Sequence, residues 1–319
     1  MMELLQVVGG LVILVIGGEC LVRGAVALAN KMGVPTLIVG LTIVSFGTSA
    51  PEMVISIQAV LDGLPDISIG NIIGSNIANI LLVLGITAVI APIAVDSKIL
   101  KRDAPLMMFA TVLFAAFMFS GQISRIHAAI FLGMMVIYTL HLFRSVKSGE
   151  DAELLEELEE ETDVHMASWK AIGAMIIGLV MLAYGSDIMV AGASDVARAF
   201  GVTEAMIGLT IVALGTSAPE LVTCVVAALR NHSDIALGNI IGSNLFNIAV
   251  IGGTAAMVHP IAVNSIFLEY DVWLLILVTL LLLTFMLTDR KLCRKEGAVL
   301  GIGYIAYSIW QIQQGNIAG

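Results

Sequence analysis

The sequence predicts an all-α membrane protein of ten transmembrane helices, built as two inverted-topology five-helix repeats with helices two and seven broken. Three observations carry this prediction. Apolar stretches of membrane-spanning length cover nearly the whole chain, the chain repeats itself at a spacing of 168 residues, and each repeat sets a proline and a carboxylate in mid-span.

The composition excludes most alternatives. Of 319 residues 59% are hydrophobic and 13% charged, where a soluble domain would carry about 25% charged residues. Mean hydropathy is +1.00. The net charge of -10 is dominated by one run, residues 150–163, which holds nine acids. Nothing is basic enough for nucleic acid, and no obligate protein partner is evident; the partner implied is the lipid bilayer. Cys20, Cys224 and Cys293 are scattered and odd in number, so they read as small buried residues rather than metal ligands or a disulfide framework. The N-terminal stretch has Glu3 instead of a basic region and no clear cleavage site, and reads as a helix rather than a signal peptide.

Ten apolar spans of about the length needed to cross a bilayer can be marked at 4–27, 35–61, 67–93, 103–121, 124–144, 169–192, 202–229, 235–260, 270–288 and 297–314. The one substantial interruption divides the chain into a first repeat (1–144), an acidic linker (145–168) and a second repeat (169–319). With the N-terminus outside, thirteen Lys and Arg residues fall in inside loops and two, Arg125 and Arg198, outside. The positive-inside rule then puts both termini outside a multi-pass cell membrane, inner or plasma, and the 145–168 loop in the cytoplasm.

Shifting the chain by 168 residues aligns 36–95 with 204–263 without a gap, and about half the positions are identical. Each repeat has an odd number of spans, so equivalent helices should cross the membrane in opposite directions. That plan is typical of secondary transporters with midplane sites. Identity concentrates on polar and glycine positions, which a duplication kept only for structure would not favour.

The chemistry lies in two doubled motifs. Gly47-Thr48-Ser49-Ala50-Pro51-Glu52 recurs as Gly215-Thr216-Ser217-Ala218-Pro219-Glu220. Proline cannot donate to the carbonyl four residues back, so each span should kink there. The carbonyls around Ser45–Gly47 and Ala213–Gly215 then need partners, either a cation or a neighbouring helix. Glu52 and Glu220 are costly at mid-membrane, by roughly 2.5–3.5 kcal/mol each on insertion scales. No Lys or Arg sits at comparable depth, so a cation between them, or protonation of both, must neutralise them. The oxygens at hand are the hydroxyls of Thr48, Ser49, Thr216 and Ser217, the amides of Asn79 and Asn247, and backbone carbonyls. Such a set suits Ca²⁺ or Na⁺ rather than zinc or copper. In the second motif, Gly70-Asn71-Ile72-Ile73-Gly74-Ser75-Asn76 returns as Gly238-Asn239-Ile240-Ile241-Gly242-Ser243-Asn244. Its glycines permit close helix approach. Ser75 with Asn79, and Ser243 with Asn247, share a helical face.

These two motifs, each present twice, resemble the alpha repeats of the cation/calcium exchanger superfamily, and within it the prokaryotic sodium/calcium exchangers. The match covers an alpha-1 motif at 40–80 and an alpha-2 motif at 208–248. The resemblance implies ten helices and alternating access, with Ca²⁺ leaving as Na⁺ enters, no enzyme activity and no cofactor beyond the transported ions. It implies that Glu52, Glu220 and the backbone oxygens of Thr48 and Thr216 hold Ca²⁺. Na⁺ would use Ser49, Ser75, Ser217, Ser243, the two glutamates and the carbonyls of Ser45 and Ala213, while Asn79 and Asn247 line the centre. Some relatives, potassium-dependent ones among them, carry Asp where Asn247 stands, which argues against potassium coupling here. Proton-coupled relatives tend to place an acid in the Gly-Asn-rich segment, where this chain has Ile and Ser. A passive channel fits broken helices in inverted repeats less well.

Glu19 and Asp187 are equivalent under the shift. Glu19 can pair with Arg23 one turn on, whereas Asp187 has no such neighbour and leaves open a role along an ion path. The acidic linker shows no EF-hand pattern and reads as solvated. The five histidines lie mainly near span ends.

Overall fold

The computed structural model describes residues 2–148, 166–201 and 213–317. Most of the acidic linker, and the repeated Gly208-Leu209-Thr210-Ile211-Val212, lie outside them. The described chain is helical throughout, apart from four two-residue strands. Helix α1 is Met2–Met32. Helix α2, Thr36–Thr48, bends by 47° into α3, Ala50–Leu61. Helix α4 is Pro65–Ile90, followed by β1, Ile93–Ala94. Helix α5 covers 99–118, opening with a π-helical turn at Ile99–Asp103. Strand β2, Gln122–Ile123, leads into α6, Arg125–Ser148. The second half runs α7, Ser168–Ala199, α8, Ala213–Thr216, α9, Ala218–Leu229, and α10, Ser233–Val258. It closes with β3, Ile261–Ala262, α11, Phe267–Leu287, β4, Lys291–Leu292, and α12, Arg294–Ile317.

Among the described residues six helices are long and apolar enough to cross a membrane, or seven if the bent α2–α3 pair is one span. Each span marked in the sequence overlaps a helix, with shifted ends. Residues 91–93 leave α4 and begin a strand, α5 starts four residues early at Ile99, and α7 continues seven residues further to Ala199. The helices leave Leu11, Val12, Ile176, Val180 and Leu280 about half exposed or more, an outer surface that suits lipid and not water.

Local chemistry ends the helices alike in both halves. Gly33 (φ 62°) follows α1 and Gly201 (φ 80°) follows α7, while Gly63 (φ 74°) and its counterpart Asn231 (φ 62°) follow α3 and α9. Glycine and asparagine are the residues that enter this left-handed region at least cost.

Helices α1 and α7 pack antiparallel through glycines spaced by seven. Gly10 faces Gly185 and Met189, Gly17 faces Gly178 and Leu182, and Gly24 faces Ala171 and Met175. A Cβ at Gly10 or Gly24 would come within 2.7 Å of backbone on the other helix, so only glycine permits this separation. Helices α4 and α10 form the interior, and Ile69, Ile72, Ile240 and Ile241 are fully buried. The strands tie the halves together. β1 pairs antiparallel with β4, and β2 with β3, so each ladder takes one strand from each half.

Candidate cation site

The two proline-glutamate motifs form two matching kinks. Ser49 (φ −88°, ψ 7°) breaks α2 from α3, and Ser217 (φ −88°, ψ 1°) breaks α8 from α9. In each case the proline sits in the first turn of the following helix, where its missing N–H costs nothing. Gly47 and Gly215 lie at the kinks against α7. A Cβ there would fall 2.4 Å from Leu179 and 1.9 Å from Val190.

The kinks put Glu52 and Glu220, each 2% exposed, in the interior. The halves meet directly. The Ser49 hydroxyl donates to Glu220 Oε1 at 3.1 Å. The Asn79 amide donates to Asn244 Oδ1 at 3.1 Å. The Thr48 hydroxyl lies 3.2 Å from Asn239 Oδ1. Thr48, Ser217, Ser243 and Asn247 are buried in the same interior, and Ser75 nearly so. The Ser75 hydroxyl is 3.5 Å from Asn71 Oδ1, at the limit of a hydrogen bond. Ala213 and Thr216 bound the short helix α8 at the second kink.

Several of these buried atoms have no hydrogen-bond partner among the described residues. They are Oε2 of Glu52 and of Glu220, the hydroxyls of Ser217 and Ser243, Oδ1 of Asn79, and both amide atoms of Asn247. Orphaned oxygens of this kind are costly in an apolar interior unless a cation or water ligates them. Apart from the Asn247 Nδ2, which is a donor, they are oxygens of the kind that ligate hard cations. Among the described residues no three His, Cys, Asp or Glu side chains come together as a metal cluster, so the two carboxylates stand among neutral oxygens.

Two expectations need refinement. The Ser45 carbonyl is not freed by the kink, since it accepts the Ser49 N–H at 3.0 Å and the Thr48 hydroxyl at 3.4 Å. The Gly215 carbonyl, four residues before Pro219, accepts the Ser186 hydroxyl of α7 at 2.5 Å, so a neighbouring helix supplies that partner. The glycines of the second copy of the Gly-Asn motif do admit close helix approach. A Cβ at Gly242 would lie 2.2 Å from Ser45 Oγ and 2.5 Å from the Leu41 carbonyl, and one at Gly238 3.0 Å from the Leu37 carbonyl. At Gly70 the nearest described atoms belong to the Phe267 ring at 3.7 Å, and at Gly74 none lies within 4 Å.

Sequence reasoning missed the residues that hold the kinks. Asn71 donates to the Glu52 carbonyl at 3.0 Å and to the Ser56 hydroxyl at 2.8 Å. Its counterpart Asn239 donates to Cys224 Sγ at 3.4 Å while its Oδ1 faces Thr48. Both stood in the doubled motif, which was the available signal. Also missed were π-helical turns beginning at Asn79 (Asn79–Leu84) and Asn247 (Asn247–Ile251). Such turns recur at functional sites because they widen the helix locally.

The packed apolar helices and the buried, under-satisfied oxygens define an integral, multi-pass membrane protein built around a polar centre. The chain belongs to the sodium/calcium exchanger protein family, whose family model matches residues 2–144 and 170–313. It is 33% identical to the sodium/calcium exchanger MaX1 of Methanosarcina acetivorans, over 94% of this chain and 95% of that one. It is also 33% identical to the inner membrane protein YrbG of Escherichia coli, over 93% of each. A structure of the sodium-calcium exchanger NCX_Mj, soaked with 2.5 mM Na⁺ and 0.1 mM Ca²⁺, matches with a TM-score of 0.80 at 31% identity, covering 96% of this chain and 97% of that one.

Proposed function

We propose that this chain is a secondary antiporter that exports Ca²⁺ in exchange for Na⁺ by alternating access. The observation that carries the reading is the pair of buried carboxylates on matching kinks, each with one oxygen unsatisfied, within a ring of neutral oxygens. Glu52, Glu220 and the Thr48 and Thr216 backbone oxygens hold Ca²⁺, which takes six to eight oxygens at about 2.3–2.6 Å. Two carboxylates cancel its charge. Na⁺ ions occupy the same centre through Ser49, Ser75, Ser217, Ser243 and the Ser45 and Ala213 carbonyls, with Asn79 and Asn247 lining it. Because both ions need the glutamates, loading one displaces the other.

The architecture in this reading is ten transmembrane helices in two inverted repeats, 1–144 and 169–319, joined by the cytoplasmic 145–168 segment, with both termini outside the cell membrane. Two observations favour it. Helices α1 and α7, equivalent under the 168-residue shift, run antiparallel. The same shift carries β1 onto β3, and each ladder joins loops that positive-inside counting places on one face. Sodium coupling is favoured over proton coupling by the neutral Ile and Ser of the Gly-Asn-rich segment.

The test is ⁴⁵Ca²⁺ uptake into sodium-loaded proteoliposomes diluted into sodium-free buffer. Uptake should require the sodium gradient, survive an uncoupler and vanish in Glu52→Gln or Glu220→Gln. Uptake driven equally by a pH gradient would overturn sodium coupling, and single-channel currents would overturn the antiporter.

A further inference from the structure

We propose that the end of the α11–α12 hairpin away from β4 holds the ammonium headgroup of one phosphatidylethanolamine molecule, through the Asp271 carboxylate and the rings of Tyr270, Tyr307 and Trp310. The internal repeat supplies the reason. Asp103 and Asp271 are equivalent under the 168-residue shift. Each closes a π-helical turn, Ile99–Asp103 and Phe267–Asp271, and each is buried, at 0% and 9% exposure. Asp103 has its own cation, with Arg102 Nε at 2.7 Å from Oδ1, and accepts the Tyr138 hydroxyl at 2.9 Å. In the second half Tyr270 takes the place of Arg102. Among the described residues the partners of Asp271 are neutral, Gln311 Nε2 at 3.1 Å and the Tyr307 hydroxyl.

A carboxylate buried to this degree is costly without a positive charge beside it. From Val263 to Ile317 the basic residues are Arg290, Lys291, Arg294 and Lys295, all at the opposite end of the hairpin. Arg125 and Arg198, which positive-inside counting places on the same face as Asp271, are held elsewhere, by the Met257 and Val258 carbonyls and by Asp195. The missing charge must therefore come from outside the chain, and the rings show what kind fits. Tyr270 meets Trp310 edge to face at 5.3 Å, and Tyr307 stacks with Trp310 at 6.3 Å. Tyr270 is 56% exposed, so the cluster opens to the surrounding membrane. Tyr and Trp settle at headgroup level, and their faces attract cations. An aromatic belt alone would need no buried acid among its rings. A primary ammonium satisfies both parts, donating N–H groups to the carboxylate and charge to the rings. A trimethylated headgroup has no N–H to give. The site is independent of which ion the protein carries.

Tyr270→Arg supplies the test, because it gives the second half the arginine that the first half has. Purified full-length protein would be incubated with phosphatidylethanolamine, with phosphatidylcholine or phosphatidylglycerol of the same acyl chains, or with ethanolamine, and analysed by native mass spectrometry. Phosphatidylethanolamine adducts should exceed those of either other lipid by about tenfold, and ethanolamine at the same concentration should give none. Asp271→Asn and Tyr270→Arg should each abolish the preference, and Tyr270→Arg should unfold in lipid-free detergent at or above the temperature of the parent protein. Equal retention of the three lipids, which a protonated Asp271 would give, retention of ethanolamine as readily as the lipid, or a preference that survives in Tyr270→Arg would overturn the assignment.

Discussion

Arg230, just past the end of α9, binds Glu19 in the second half of α1. Its Nη2 lies 2.5 Å from Oε1 and its Nε 3.2 Å from Oε2. Arg23 holds the same carboxylate from one turn away at 2.5 Å. The local pair was legible in the sequence, and the reach from α9 was not. The 168-residue shift turns Glu19 into Asp187 and Arg230 into Asp62. An attractive pair at one end of the molecule thus corresponds to two acids at the other. Under the alternating-access reading, this charge difference favours the arrangement in which α1 is fastened to α9.

Releasing that fastening should be visible directly. Glu19 is 26% and Arg230 52% exposed, so the pair contributes no more than about 1 kcal/mol. Arg230→Gln should therefore raise hydrogen exchange at residues 226–232 up to about fivefold without lowering the unfolding temperature measurably. Glu19→Gln should give the same change, and the double variant no more than either alone. Additive effects would show that the two side chains act separately.

Ser49→Ala removes the donor that orients Glu220. A hydrogen bond to a charged group is worth about 1.5–3 kcal/mol, so Ca²⁺ affinity by isothermal titration should fall about tenfold or more. The buried Ser56, which serves the Asn71 amide instead of a carboxylate, provides the comparison. Ser56→Ala should weaken Ca²⁺ binding less than Ser49→Ala does.

Gly242 should not tolerate one added methyl group. Gly242→Ala sets a Cβ against the Leu41 carbonyl, a backbone atom that cannot rotate away, and should destabilise the protein by about 1–3 kcal/mol. Thermal unfolding followed by tryptophan fluorescence measures the loss.

Ser186→Ala leaves the Gly215 carbonyl beside Pro219 without its donor. The expected loss is about 1–3 kcal/mol of stability, measured as a lower unfolding midpoint, and Ser186→Thr should retain most of it. If alanine is as stable as serine, the second kink draws its support elsewhere.

The sequence made the polar centre legible because lipid penalises each of its residues. Proline, carboxylate and hydroxyls in mid-span stand out against Leu and Val, and their recurrence at 168 residues pairs them. What it could not convey were relations without local periodicity. The Asn239 to Thr48 approach spans 191 positions, and Ser186 is an ordinary helical serine until Gly215 is brought beside it. The buried Asp103 and Asp271 passed unnoticed because each lies at a span end, where acids are common.

The two small ladders have a consequence for how the molecule can be made. Each is a button sewn half on one repeat and half on the other, one joining residues 93–94 to 291–292 and one joining 122–123 to 261–262. A polypeptide that stopped after the first repeat would emerge with two open strand edges and nothing to fasten them. Two separately expressed halves would carry complementary edges, so co-expression should rebuild what neither fragment can close alone.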